Sequence, residues 1–334
     1  MAGDMRRREF LYRVGAGLAG GAVVPALLAS EASSQPARGS VGTIKDVPTR
    51  RLGRMGLEVP PLSLGTAAMG HALFEAGPFE EVVYAALQAG IRYLDAARLY
   101  DVAEERLAPI LAKHRKDVFL TTKVWAKTRD EALRSLDKSL TLMGVASVDL
   151  CHLHNVGQHA TQEVLGKGCL MEGVLEAKKR GLFKYVGCSG HLMPERFVPV
   201  IETGEIDLVM VAMNFVDAHT YNFEGRVLPA ARKHNCAIVC MKVYGGVTGG
   251  WDGYRNRRPG RLVGDEHRQD ALDYALSIPG LSTCVVGMRT LEELRLAIQA
   301  VRNHKLLEGA RREAVLAKGA ALAHEWGPHF GPVT

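Results

Sequence analysis

From Arg50 onward, short apolar runs alternate with longer amphipathic stretches. The runs fall at 62–64, 91–95, 118–123, 148–154, 185–189, 208–213, 237–242 and 283–286. Between them, apolar residues recur at helical spacing, as with Val82, Val83, Ala86 and Leu87 in 78–89. Further helices are predicted at 103–113, 129–143, 170–180, 194–201, 226–234 and 269–278, then at 291–301 and 308–323. Strands that are almost wholly apolar, each followed by a helix, imply a parallel sheet covered by helices. Eight such units predict an α/β fold of the (β/α)8 TIM barrel type, one domain over 50–334. An N-terminal hairpin at 52–59 and an extra C-terminal helix flank it. A doubly wound sheet is the alternative.

Composition adds bounds. With 47% hydrophobic and 23% charged residues, the chain is neither disordered nor fibrous. A net charge of +6 is scattered without an aromatic-basic stripe, which argues against nucleic acid and for anionic small ligands. The six cysteines form no Cys-x-x-Cys pair, so neither a metal site nor a disulfide framework is predicted.

Residues 1–32 stand apart. Arg7-Arg8-x-Phe10-Leu11 precedes an uncharged run at 14–30 and the small residues of Ser30-Glu31-Ala32. This resembles a twin-arginine export signal. Gly15-x-Gly17-x-x-Gly20 matches a dinucleotide fingerprint, but arginines rather than a strand precede it, so that reading is rejected. Residues 33–49 read as a flexible linker.

In a parallel barrel, chemistry gathers where strands end. The run 91–95 ends in Asp95, and a phenol, Tyr100, follows five residues later. Alone, this pair reads better as a helix cap and an apolar cover than as chemistry. The next two runs end in Lys123 and His154, and the fifth in Ser189-Gly190-His191. Together these place an acid, a phenol, an ammonium and an imidazole at one mouth. An ammonium beside the phenol is expected to lower its pKa, and an acid would hold the ammonium charged. A histidine can donate to a carbonyl oxygen. Such a set protonates a carbonyl oxygen while another group delivers to carbon.

At these residues the chain resembles the aldo/keto reductase family. The resemblance covers about 50–301 and rests on Arg51-Leu52-Gly53, Leu64-Gly65-Thr66, Tyr93-Leu94-Asp95-Ala96-Ala97-Arg98-Leu99-Tyr100, Phe119-Leu120-Thr121-Thr122-Lys123, Asp149-Leu150-x-x-x-His154, Lys184-Tyr185-Val186-Gly187-x-Ser189 and Val286-Gly287-Met288-Arg289-Thr290. It implies an NADP(H)-binding barrel, with NAD(H) possible, that reduces carbonyl compounds or oxidises alcohols. Tyr100 would be the proton donor, Asp95 and Lys123 would tune it, and His154, rather than His152, would orient the carbonyl. Gly65 and Thr66 would approach the cofactor, and Ser189 would bond the nicotinamide carboxamide. Gly190, Met210 and Lys242 stand where the family commonly has asparagine, glutamine and, in many members, tyrosine. Gly287, Arg289 and Glu293 would hold the adenosine phosphate, with Thr290-x-x-Glu293 as a capping box.

The glycine-rich loop 245–261 carries Arg255, Arg257, Arg258 and Arg261 and reads either as a lid over the pyrophosphate or as a mobile surface loop. The alternative to a reductase is an exported barrel that binds a ligand or partner with little turnover. The leader implies the twin-arginine export machinery as a partner and a periplasmic location, or a cytoplasmic one if it does not function. Substrate and oligomeric state are left open.

Overall fold

The computed structural model describes residues 40–334; the expected export segment at 1–32 lies outside them. A small hairpin pairs β1 (Arg50–Arg51) with β2 (Glu58–Val59). The barrel strands follow: β3 (Leu62–Gly65), β4 (Tyr93–Asp95), β5 (Phe119–Val124), β6 (Leu150–Leu153), β7 (Tyr185–Gly190), β8 (Leu208–Ala212), β9 (Ala237–Met241) and β10 (Leu281–Gly287). All eight pair in parallel, and β10 pairs back onto β3 with Gly287 opposite Gly65. That closing pair rules out the doubly wound sheet.

Alternation along the strands sorts the apolar side chains into two clusters. Tyr93, Phe119, Leu150, Leu208, Val239 and Val285 pack inside the barrel with Leu52, Met55 and Val59 of the hairpin, which plugs its amino end. Leu94, Leu120, Cys151, Val186 and Val209 face outward to the helices. The helix Ala76–Ala89 shows the logic: Phe79, Val82, Val83, Ala86 and Leu87 are buried on one side. Each large side chain so buried contributes about 1.5–3 kcal/mol.

Residues 40–49 differ from the expected flexible linker. Ile44 is buried and donates its N–H to the Ala89 carbonyl at 2.8 Å, and the Thr43 hydroxyl donates to the same oxygen at 3.1 Å. Val41, Ile44 and Val47 recur every third residue and pack on the core, an apolar rhythm hidden among small and polar neighbours. The helix expected at 226–234 is divided into Phe223–Arg226 and Leu228–Lys233, with Pro229 at the start of the second.

The helix Gly309–Trp326 lies against the barrel through Gly319, where a Cβ would stand 2.0 Å from the Phe215 carbonyl oxygen. Gly319→Ala is therefore expected to cost about 1–3 kcal/mol of stability. A urea midpoint equal to wild type would contradict this docking. Beyond the helix, His329 Nε2 meets Asp217 Oδ1 at 2.9 Å, and the Phe330 N–H donates to the Tyr221 hydroxyl at 2.7 Å. This seats the Phe330 ring 5.4 Å from that of His191.

Candidate active site

The site is organised by the turn into and out of β4. The preceding helix ends at Gly90, whose φ of 103° only glycine adopts without strain, and whose N–H donates to the Leu87 carbonyl. The chain then enters β4 and delivers Asp95 to the carboxyl mouth. The Asp95 carbonyl accepts from the Thr66 N–H at 3.0 Å and its hydroxyl at 2.9 Å. Next, the Tyr100 N–H donates to the Ala97 carbonyl at 3.0 Å, and the Tyr100 carbonyl accepts from the Ala103 N–H. Gly70 lets the neighbouring loop press close, since a Cβ there would sit 2.4 Å from the Tyr100 carbonyl oxygen.

Lys123, at 1% exposure, reaches across from β5 and donates to Asp95 Oδ1 and Oδ2 at 2.6 Å each and to the Ala96 carbonyl at 2.8 Å. The Thr121 hydroxyl also donates to Asp95 Oδ1 at 3.0 Å. All three ammonium protons are thus used, and the nitrogen lies over the face of Tyr100, 4.6 Å from the ring centre.

This corrects the expected tuning. The ammonium does not bring the phenol down: burial first, then the Asp95 charge, push Tyr100 well above the ordinary phenol value. Tyr100 accordingly keeps its proton at neutral pH, as an acid must. Burial also lowers Lys123, opposed by Asp95 and by Glu104. Glu104 is fully buried, accepts from the Thr122 hydroxyl at 2.6 Å and pairs with Arg98 at 2.9 Å.

The ring of His154 stands edge-on to that of Tyr100 at 6.0 Å. His154 lines the cavity, and among the described residues its buried Nδ1 meets no partner, which leaves Nε2 as the nitrogen to carry the proton and donate. His152 lies deeper on β6 and does not line the cavity; a Cβ on Gly187 would be 2.4 Å from its Nδ1.

Burial pushes both imidazoles well below the ordinary histidine value. The unfolded chain takes up these protons as pH falls below about 6.5, whereas the folded protein does not. Stability is therefore full above that pH and is lost below it, by up to about 1.4 kcal/mol per pH unit for each histidine. Guanidinium unfolding between about pH 7.5 and 5.5 checks this; an unchanged midpoint would refute it.

The cavity, of about 450 Å³, runs from Tyr100, His154 and His191 to Arg289, Glu293 and Ala297 beyond β10. The segment 245–261 is packed over it. Its short helix Gly250–Arg255 presents Tyr254 to the Lys242 ammonium at 2.6 Å, and Val247 bridges Gly260. Arg257 lies 4.6 Å over Phe74, and Trp251 stands 6.0 Å from His71, so the segment spans the mouth to the loop after β3. Lys242 launches it from a left-handed conformation (φ 58°) that a side chain of this kind seldom adopts.

A statistical model of the aldo/keto reductase family matches residues 61–270. The chain belongs to the aldo/keto reductase family. As a member it is an oxidoreductase. The uncharacterized oxidoreductase YqkF of Bacillus subtilis is 23% identical to it over 298 residues, spanning 78% of this chain and 92% of that protein. Methylglyoxal reductase DkgB of Salmonella typhimurium is 27% identical over 190 residues, 55% of this chain and 66% of that protein. The solved structure of an aldo-keto reductase from Bacillus halodurans in its holo form shares the fold, with a TM-score of 0.65 at 20% identity, covering 81% of this chain and 96% of that one.

Of the residues that the aldo/keto reductase resemblance singles out, Gly65, Asp95, Tyr100, His154, Lys242, Gly287, Arg289 and Glu293 line the cavity. Thr66 and Lys123 support it from behind, through Asp95. Ser189, Gly190 and Met210 do not line it. Met210 belongs to the packed barrel interior beside Ser189 of β7, and a Cβ on Gly190 would strike the Phe197 ring at 2.7 Å.

The Thr290 cap forms, with its hydroxyl accepting from the Glu293 N–H at 3.1 Å. The returning bond differs from the expected box. The Glu293 carboxylate accepts from the Arg289 N–H at 2.6 Å and pairs with its guanidinium at 2.7 Å. Arg289 and its amide are thus already engaged. Arg258, Arg268 and Lys242 add cations to the same wall, more than Glu293 balances, so the donor set fits a phosphate-bearing dinucleotide. Sequence reading named His191 only as the end of the fifth run and Arg258 only within the candidate lid, and it missed Tyr254 and Arg268. Tyr254 reaches the cavity because the covering segment folds back, and Arg268 because the helix Asp265–Leu276 follows it.

Proposed function

We propose that this aldo/keto reductase reduces a carbonyl compound with NADPH, or oxidises the matching alcohol, with Tyr100 as the proton donor. The observation that carries this reading is the Tyr100 phenol lining the cavity, backed by the buried Asp95–Lys123 pair and set edge-on to the His154 ring; burial favours the protonated phenol and the neutral imidazole. The nicotinamide, when bound, supplies the hydride. His154 donates from Nε2 to the substrate carbonyl oxygen and turns it toward Tyr100. As the carbon accepts the hydride pair, the oxygen takes the Tyr100 proton, and the Asp95–Lys123 pair holds the phenol ring in place beneath it. Gly65, Gly287, Lys242, Arg258 and Arg289 would hold the cofactor, with the 245–261 segment as a cover over its pyrophosphate. Glu293 on Arg289 would compete with a 2′-phosphate, so NAD(H) stands as the second cofactor.

The test is titration of the full chain with NADPH and with NADH, followed by cofactor fluorescence, and a carbonyl panel read at the nicotinamide absorbance band. Cofactor binding together with turnover is expected; no binding of either cofactor ends the reading. Met210 and Gly190, where the family commonly has amides, favour a second reading, a barrel that binds its ligand without turnover. It predicts binding with no oxidation of cofactor by any carbonyl.

Export is proposed from the Arg7-Arg8 leader, with the twin-arginine machinery carrying a folded, cofactor-loaded barrel to the periplasm. Lysines at both positions are expected to trap the protein in the cytoplasm. A wild-type chain already found there would place the enzyme in the cytoplasm instead.

A further inference from the structure

We propose that Glu104 is the positioning residue for Tyr100: a carboxylate clasp, closed on Arg98 and Thr122, that fixes where the phenol stands against the Asp95–Lys123 pair. The inference rests on the reductase reading above for its effect on turnover. It concerns a buried charge that lies behind the cavity wall and takes no part in the mechanism described so far.

Glu104 is the second residue of the helix Ala103–His114, and none of it is exposed. Burying a carboxylate is costly, and an apolar pair in place of a buried ion pair is often as stable or more so. Stability alone therefore does not account for the charge. Its two oxygens are engaged on two different elements. Oε1 accepts from the Thr122 hydroxyl at 2.6 Å, and Oε2 pairs with the Arg98 guanidinium, 28% exposed, at 2.9 Å.

The places of these partners define the clasp. Along β5, Thr121 and Lys123 turn inward onto Asp95, and Thr122 between them turns outward. Glu104 thus grips the strand from outside at the point where it delivers Lys123 inside. In the chain, Arg98 and Glu104 bracket Tyr100. The segment between them turns through Asp101 in the left-handed region (φ 53°), where backbone preference gives it little hold. Its backbone bonds run within residues 97–103 or to the loop after β3, where the Gly70 carbonyl accepts from the Val102 N–H at 2.9 Å. Among the described residues, the bond from Thr122 to Glu104 is the one hydrogen bond that ties the bracketed segment to β5. Through it the phenol and the Lys123 ammonium, 4.6 Å from the ring centre, share one frame.

The experiment compares the full chain with Glu104→Gln and with a paired variant, Arg98→Met with Glu104→Met, which opens the clasp without stranding a charge. Three quantities are read: turnover of 4-nitrobenzaldehyde with NADPH, NADPH affinity by cofactor fluorescence, and the pH at which Tyr100 ionises, taken from tyrosinate absorbance against Tyr100→Phe. In both variants kcat is expected to fall about 10–100-fold, the loss that follows a misplacement of about 1 Å. KM and NADPH affinity should stay within about threefold. Tyr100 should ionise about one pH unit lower, because a phenol loosened from its seat meets water. The paired variant should melt close to wild type, so its lost turnover is not lost fold. Wild-type kcat and unchanged Tyr100 ionisation in the paired variant overturn the inference and leave the reductase reading standing. Failure of both variants to fold also overturns it, since Glu104 would then serve stability. If wild type reduces no carbonyl, the reductase reading fails and the ionisation of Tyr100 decides the clasp by itself: lowered in the paired variant, it upholds the clasp; unchanged, it rejects it.

Discussion

On the proposed function, Tyr100→Phe is expected to remove carbonyl reduction and to leave NADPH binding within a factor of about two. The substitution deletes one oxygen from a buried ring whose packing against Lys123 and His154 is otherwise retained. A positioned general acid contributes roughly 10²–10⁴-fold, so kcat should fall by at least that range. The pH profile carries a second signature. Tyr100 is held above the ordinary phenol value, so reduction should show no loss from phenol ionisation up to about pH 10. Alcohol oxidation needs the deprotonated oxygen and should rise with pH across the same interval. Retained turnover in Tyr100→Phe, or a fall in reduction between about pH 8 and 9 that Tyr100→Phe abolishes, would remove the phenol from its assigned role.

The second large effect is on stability. Lys123→Met leaves the Asp95 carboxylate, 3% exposed, without its counter-ion. Stranding one partner of a buried pair costs about 3–5 kcal/mol. At roughly 2–4 °C per kcal/mol this lowers Tm by about 6–20 °C. Combining it with Asp95→Asn should recover much of the loss, because the neutral amide can still accept from Thr121 and no charge is left unpaired. The double variant should therefore fold yet remain inactive, which separates the pair's structural role from its catalytic one. A double variant as unstable as the sum of the singles would show that the ion pair is not the relevant unit.

How much of this was legible depends on where each residue sits. Asp95, Lys123 and His154 each end an apolar run, and the pleat of a parallel barrel sends strand ends to one mouth, so their convergence follows from periodicity. The barrel was legible for the same reason, down to the hairpin and the last helix. The state of Tyr100 was not: proximity to a lysine suggested a lowered pKa, but only coordinates show that Asp95 and Ala96 take all three ammonium protons. Nor was the Lys242–Tyr254 bond, which joins residues across a glycine-rich turn whose path no local pattern dictates. Ile44 escaped notice because three apolar residues at every third position, set among small and polar neighbours, make too short a rhythm to stand out. The pairing of Arg289 with Glu293 shows how a sequence motif can keep its spacing and exchange its partners.

The Gly65–Gly287 register between β3 and β10 has a kinetic consequence. These residues stand side by side on the cavity wall, yet nearly the whole barrel separates them along the chain. Loop-closure entropy must be overcome before that seam forms, so a folding intermediate in which β3 to β9 are paired would present two raw sheet edges to solvent. Aggregation during refolding should then scale with the lifetime of the open sheet, and slowing the docking of β10 should increase it without altering the stability of the finished fold.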